Sequence, residues 1–381
     1  MTKTETTLLE LLKSALFGIN ATFDKDVDWN EVLKEAEAQT VVALVYNTLP
    51  DDVKGTWLIP STKNKAHFVR ALYEQTNIVT LLHEANIPFV IIKGTAAAIY
   101  YPDPSVRTMG DIDILVPEEF FDDAFSLLEK NGYKFCRDYG DKRDYSFIKG
   151  GVTFELHRRY SDENHDIEPY LINGIKNAET LTVYESNFPA LPKAENGLVL
   201  LDHIRHHLFG GLGLRQIIDF MMFVNSEPMG DRFEKEFLPL FNSAGLGTLA
   251  KVITKMCKKY FGLPIKAAWC DEQDDRTCDE LLETVFNSGN FGRKNPYEYR
   301  PMQNLTMSVK KQGFFKTLQR AGVENCKAFQ KHRFLRPFAW LYQLFRYFKR
   351  GVAALFRREK LLKDVSSGKQ KADFYKRLGI K

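Results

Sequence analysis

No stretch of this chain approaches the about 20 consecutive apolar residues that a helix needs to cross a bilayer, so no helical membrane span is expected. The first residues, MTKTETTLLELLKSALFG, contain neither a long apolar segment nor a small-residue cleavage site, and no secretory signal is expected either. Cysteine is scarce: Cys136, Cys257, Cys270, Cys278 and Cys326 are scattered, odd in number and without C-x-x-C spacing. That usage points to free thiols in a reducing cytoplasm and away from a structural zinc site. There is no internal repeat. With 44% hydrophobic and 27% charged residues over 381 positions, the composition is that of an ordinary soluble protein long enough for two or three domains.

A net charge of +4 conceals an uneven distribution. Sixteen Lys/Arg stand against three Asp/Glu after residue 326, a local balance of +13 that leaves −9 on everything before it. The segment RPFAWLYQLFRYFKRGVAALFRREKLLKDV within that tail is amphipathic and rich in aromatics. Three readings stand. It lies on an anionic membrane surface, with Trp340, Leu341, Leu344, Phe345 and Phe348 inserted and Arg346, Lys349 and Arg350 on lipid phosphates. It docks on the acidic body of the chain itself, or it binds nucleic acid. No nucleic-acid motif accompanies the charge, which favours the first two, and a cytoplasmic protein with peripheral contact at the inner membrane face is one expectation.

Periodicity divides the chain into four expected parts: a helical region over 1–66, an α/β core over 67–160, a helical domain over 161–326 and the basic tail over 327–381. Apolar residues at helical spacing run through the first 85 residues, with a break expected at Pro60 and Ser61. IPFVIIKG then reads as a strand, TAAAIYY as a short helix, GDIDILV as a second strand and PEEFFDDAFSLLEKNGY as a helix. YKFCR reads as another strand, and DYSFIKGGVTFELHRRY as a hairpin turning at Gly150 and Gly151. From Asp166 onward the pattern is mainly helical, and 271–300, rich in Asp, Asn, Gly and Arg, reads as a polar loop or irregular arm. The fold class expected is α+β, a small mixed sheet flanked by helices on both sides in sequence.

GDIDILV carries the chemistry. Side chains alternate across a strand, so Asp111 and Asp113 share one face, where like charges repel unless a cation or a proton separates them. Mg²⁺ takes oxygen ligands, one or two carboxylates and substrate phosphates among them. Two ions about 3.5–4 Å apart brace the attacking and leaving oxygens of a phosphoryl displacement. In FELH, Glu155 and His157 share a strand face and offer the third acid that such a site needs. The Lys93-Gly94-Thr95 turn joins strand to helix, with Gly94 admitting a close ligand and Thr95 adding a hydroxyl. Lys93 and Arg107 are cations placed to meet triphosphate oxygens, or else a surface lysine and an arginine paired with an acid such as Asp103. A lone D-x-D is most often a turn or a solvated strand edge; three motifs in this order on these elements point to a site.

The run IIKGTAAAIYYPDPSVRTMGDIDILV, followed by GY and FELH, resembles an uncharacterised bacterial nucleotidyltransferase-like family of the DNA polymerase β-like nucleotidyltransferase superfamily. The resemblance spans roughly 30–225 and is most specific over 88–160. It implies Asp111, Asp113 and Glu155 as ligands of two Mg²⁺ ions and Gly94 with Thr95 at the γ-phosphate. Thr95 stands where typical members have serine, and the connection to the first acid is longer. The implied activity is transfer of NMP from ATP or another NTP to an unidentified acceptor, with Glu155 completing the second ion or acting as general base. The other reading is a non-catalytic nucleotide- or partner-binding module of the same fold.

The histidine assignments stay divided as well. His157 either orients Glu155, contacts the substrate or is a hydrogen-bonded structural histidine. His203 and His207 lie one helical turn apart, a spacing that permits zinc. No H-E-x-x-H glutamate lies between them, so this helix is expected to pack on the catalytic unit, with His206, His207, Arg215 and Asp219 near the substrate.

Overall fold

The computed structural model describes residues 1–138, 144–161, 165–227, 231–294, 313–324, 326, 328–329, 332–346 and 370–380. Seven strands build one sheet: β1 Val90–Ile92, β2 Ile112–Leu115, β3 Lys134–Asp138, β4 Asp144–Lys149, β5 Val152–His157, β6 Glu179–Val183 and β7 Ser186–Ala190. Their spatial order is β3-β4-β5-β2-β1-β7-β6. β2 runs parallel to β5 and β1 parallel to β7, while the other pairs are antiparallel. The fold is the expected α+β class.

Around the sheet stand α1 Lys3–Phe17, α2 Trp29–Ala38, α3 Val42–Val45, α4 Lys54–Glu84, α5 Gly94–Ala98, α6 Phe121–Lys130 and α7 Glu168–Lys176. They are followed by α8 Lys193–Gly210, α9 Leu214–Asn225, α10 Leu238–Ser243, α11 Gly247–Phe261 and α12 Asp275–Ser288. Phe68, Ile78 and Leu82 of α4 and Phe121, Ala124 and Leu128 of α6 share a core with Ile112, Ile114, Phe154 and Leu156 of β2 and β5. Each such side chain contributes roughly 1.5–3 kcal/mol by leaving water. This apolar layer settles which face of the central strands is left for chemistry.

The expected boundaries move. The chain divides into two compact units, Met1–Lys294 and Asn295–Lys381. The expected border at 66/67 lies inside α4, which passes through Pro60 without ending. The neighbouring Leu58 and Ile59 are exposed, so water can serve the carbonyl that proline leaves without a donor. The sheet also continues past 160 into the β6–β7 hairpin. The polar stretch 271–300 contains α12, whose Cys278, Leu281, Leu282, Val285 and Phe286 form a buried helical stripe behind the Asp274 cap.

In the second unit, helix Phe314–Glu324 and the short helical segment Arg333–Phe338 are described. Phe334, Phe338, Leu341, Leu344 and Phe345 are exposed. Phe348, Lys349 and Arg350 of the basic amphipathic segment lie outside the described residues. Among the described residues no helix is long and apolar enough to cross a membrane.

Candidate active site

Because Ile112 and Ile114 on β2, and Phe154 and Leu156 on β5, are committed to the core, the residues between them face the opposite side of the sheet. Parallel pairing then sets Asp113 directly beside Glu155 and Leu115 beside His157. On the other flank Ile92 pairs with Asp113, so Lys93, the next residue, enters beside the same carboxylate. Lys93 Nζ lies 2.6 Å from Asp113 Oδ1, and His157 Nε2 lies 2.9 Å from that oxygen and 3.7 Å from Glu155 Oε2. Tyr160 closes one side, its ring centroid 5.6 Å from the Lys93 ammonium.

The turn that delivers Lys93 is strained. Its φ of 56° and ψ of −133° belong to a region few L-residues occupy, at a cost of order 1–3 kcal/mol. Gly94 follows at φ 31°, and a Cβ there would stand 3.3 Å from Met109 Cε. Such strain persists where surrounding contacts over-determine it, and here it aims an ammonium at an acid.

The electrostatics separate the two central carboxylates. Burial pushes the Asp113 carboxyl up, but Lys93 and His157 more than reverse this and hold it well below the usual carboxylate range. Glu155 lacks a comparable partner: burial and the Asp113 charge push it up to about 8, with Lys93 offsetting only part. Burial and Asp113 raise Asp111 as well. Burial opposes the charge on Lys93, and Asp113, Glu155 and Asp111 outweigh it, so its pKa is raised. One acid is a fixed anion, and its neighbour exchanges a proton close to neutral pH.

This donor set fits a divalent cation. One ligand atom from each of Asp113, Glu155 and His157 lies within 4.8 Å of the others, and the crowded carboxylates already attract an ammonium. Asp113 and Glu155 would supply oxygens to Mg²⁺, with His157 a nitrogen ligand or the group that orients Asp113.

The other expected site residues are distributed differently. Asp111 precedes β2, is exposed and stands outside that tight group, although its charge reaches Lys93 and Arg215. The Thr95 hydroxyl is fully buried and donates to Gln75 Oε1 at 2.7 Å, so it is engaged inside the protein. Arg107 is expected either at the triphosphate or paired with a nearby acid such as Asp103. It is instead buried in a two-pronged pair with Asp219, Nε to Oδ1 and Nη2 to Oδ2 both 2.7 Å, while Tyr101 Oη donates to Oδ1 at 2.7 Å. That network pins the long connection between α5 and β2, and Asp103 adds a cap on Ser105 N.

A further buried cation is Arg215 of α9, whose Nη1 donates to Thr108 O at 3.1 Å and would lie 3.6 Å from a Cβ on Gly110. Beside it on α8, His203 Nε2 and His207 Nε2 are 2.9 Å apart. Burial, with the positive fields of Lys93 and Arg215 among the further causes, holds His203 well below the ordinary histidine value and His207 down to about 3. Both are neutral at physiological pH and share a proton between facing nitrogens. Among the described residues they join no group of three or more close ligands. Sequence reasoning missed Tyr160 and Gln75, whose places follow only from the tertiary fold.

Acids converging on two neighbouring strands of a mixed sheet, with a strained Lys-Gly turn beside them, make up the site of this α+β protein. The family described as uncharacterised nucleotidyltransferase matches residues 25–262, and the chain belongs to it. A crystal structure of an antigenic nucleotidyltransferase-like protein from Paracoccidioides brasiliensis is similar at 15% identity and a TM-score of 0.34. The match covers 54% of this chain and 97% of that one. No curated protein matches the chain.

Proposed function

We propose that this protein is a divalent-cation-dependent enzyme that transfers NMP from an NTP to an acceptor hydroxyl or phosphate. The observation that supports this most directly is the register that sets Asp113 beside Glu155, with His157 behind them and Lys93 on Asp113. A bound cation would neutralise phosphate charge and lower the pKa of an acceptor group. Asp113, held ionised, anchors that centre. Glu155, left as a carboxylate once a cation displaces its proton, takes up the acceptor proton as the acceptor oxygen bonds to the α-phosphorus. The bond from that phosphorus to the bridging oxygen breaks, and pyrophosphate leaves. Lys93 and Arg215 supply positive charge along the phosphate path. Charge placement and orientation account for most of the rate in such transfers.

One observation favours the other reading, a nucleotide- or partner-binding module. Lys93 already satisfies Asp113, as an internal cation would in a site that never takes a metal. Incubation with α-labelled NTP, Mg²⁺ and cell extract separates the two. Label transferred to a macromolecule or metabolite by the wild type and not by Asp113→Asn supports the enzyme. No transfer with any of the four NTPs leaves the binding module.

A further inference from the structure

The segment after α12 is built around one aromatic side chain. Gly289, Phe291 and Gly292 have φ of 64°, 56° and 68°, the left-handed region that a phenylalanine rarely enters. The turn is nonetheless firmly held. Asn290, 1% exposed, donates to Thr40 Oγ1 at 3.1 Å and accepts from Gln216 Nε2 at 2.7 Å. Phe291 N donates to Gly211 O at 3.0 Å. Gly211 approaches so closely that a Cβ there would lie 2.0 Å from Gly292 N, so only glycine admits the contact. A rigid, strained turn thus presents a phenyl ring that remains 54% exposed.

Two buried polar side chains support that ring. His207 meets it edge to face with centroids 4.9 Å apart, and Arg215 Cζ lies 5.6 Å from its centroid. Arg215 and His207 are 6% and 7% exposed; among the described residues Arg215 Nε has no hydrogen-bond partner, whereas the His207 ring is held by His203 Nε2 and the Gly211 backbone. Buried polar atoms are normally paired, and an exception marks a place where a ligand group belongs. Through Gly110 and Thr108 the same Arg215 borders Asp111 and the carboxylate site.

We propose that Phe291 is the platform on which the nucleobase of the NTP stacks, with Arg215 Nε donating to an oxygen of the attached sugar or phosphate. The assignment rests on the nucleotidyltransferase reading and adds the residue that recognises the nucleoside half of the substrate. Stacking on an exposed ring is tolerant of base identity because every base has a π-face. Phe291 is therefore a binding residue for nucleosides as a class.

The test compares ligands with and without a base. Calorimetric titration of the full chain in Mg²⁺ with ATP, UTP and inorganic tripolyphosphate is run on wild type, Phe291→Ala and Phe291→Trp. Phe291→Ala should weaken both NTPs by about tenfold, the loss of one base stack, and leave tripolyphosphate unchanged. Phe291→Trp should retain or tighten NTP binding. A thermal melt matching wild type confirms that the exposed side chain does not hold the fold. Unchanged NTP affinity in Phe291→Ala overturns the platform alone, as does equal weakening of NTP and tripolyphosphate. A wild type that binds tripolyphosphate and NTP equally overturns it too. Failure of the wild type to bind any NTP overturns the nucleotidyltransferase reading together with it.

Discussion

Replacing Lys93 by methionine keeps the stem and the strained backbone while deleting the ammonium, and so isolates the charge that sits on Asp113. At 2.6 Å and an effective dielectric of about 20, the gross attraction is about 6 kcal/mol. Both side chains are largely buried, 13% and 8% exposed, so solvent screening is slight. Removing one partner of a buried pair typically costs about 3–5 kcal/mol because the other charge is left uncompensated. His157 remains 2.9 Å from the same oxygen and limits the loss, which selects the lower end, about 3 kcal/mol. At roughly 2–4 °C per kcal/mol for domains of this size, Lys93→Met should melt about 6–12 °C below wild type in EDTA. A divalent cation takes the vacated place, so millimolar Mg²⁺ or Mn²⁺ should restore most of that difference while raising wild type less. The assay is a pair of thermal melts, with chelator and with cation. Equal melting in EDTA, or a variant whose stability ignores the cation, would refute the reasoning that Lys93 stands in for a metal.

Glu155 makes a prediction in pH. Its folded pKa is raised to about 8, above the ordinary glutamate value, so the folded state holds a proton that the unfolded state has released. In metal-free protein this contribution to stability is complete below about pH 4.5 and is lost as pH rises through about 8; chemical denaturation at several pH values should show the slope, and Glu155→Gln should flatten it. Cation affinity should rise over the same interval, because binding displaces that proton. Asp219→Asn should destabilise by about 3–5 kcal/mol, read from denaturant midpoints, because Arg107 is left buried without its counter-charge. If Arg107 instead served the triphosphate directly, Asp219→Asn would leave stability near wild type.

The acid pair was legible because strand alternation is local: two apolar residues committed to the core oblige the residue between them to face away, and this places Asp113 and Glu155 on one side. Which acids end closest was not legible. Parallel register sets Glu155 against Asp113 and leaves Asp111 one pleat further out, at the start of β2. Arg107 illustrates a longer-range failure. Its partner lies 112 residues away on α9, and nothing near Arg107 in sequence points to Asp219 in place of the neighbouring Asp103. The β6–β7 hairpin escaped notice because Glu179–Val183 is short and mostly exposed, with only Leu181 and Val183 alternating against threonines. Helix α12 escaped because counting Asp, Asn and Arg over 271–300 averages away a stripe of five apolar residues at helical spacing. Phe291 had only flanking glycines to mark it, and its role depends on contacts with α8 and α9.

The account turns on Asp113 and Glu155 forming a seat for a divalent ion beside the NTP phosphates. Electron paramagnetic resonance of Mn²⁺ in the presence of NTP reports that ion directly, since its sharp aqueous spectrum broadens on binding to protein. Wild type should remove Mn²⁺ from solution beyond the amount held by the NTP alone, and Asp113→Asn and Glu155→Gln should each abolish that excess. Identical spectra for wild type and both variants would contradict it.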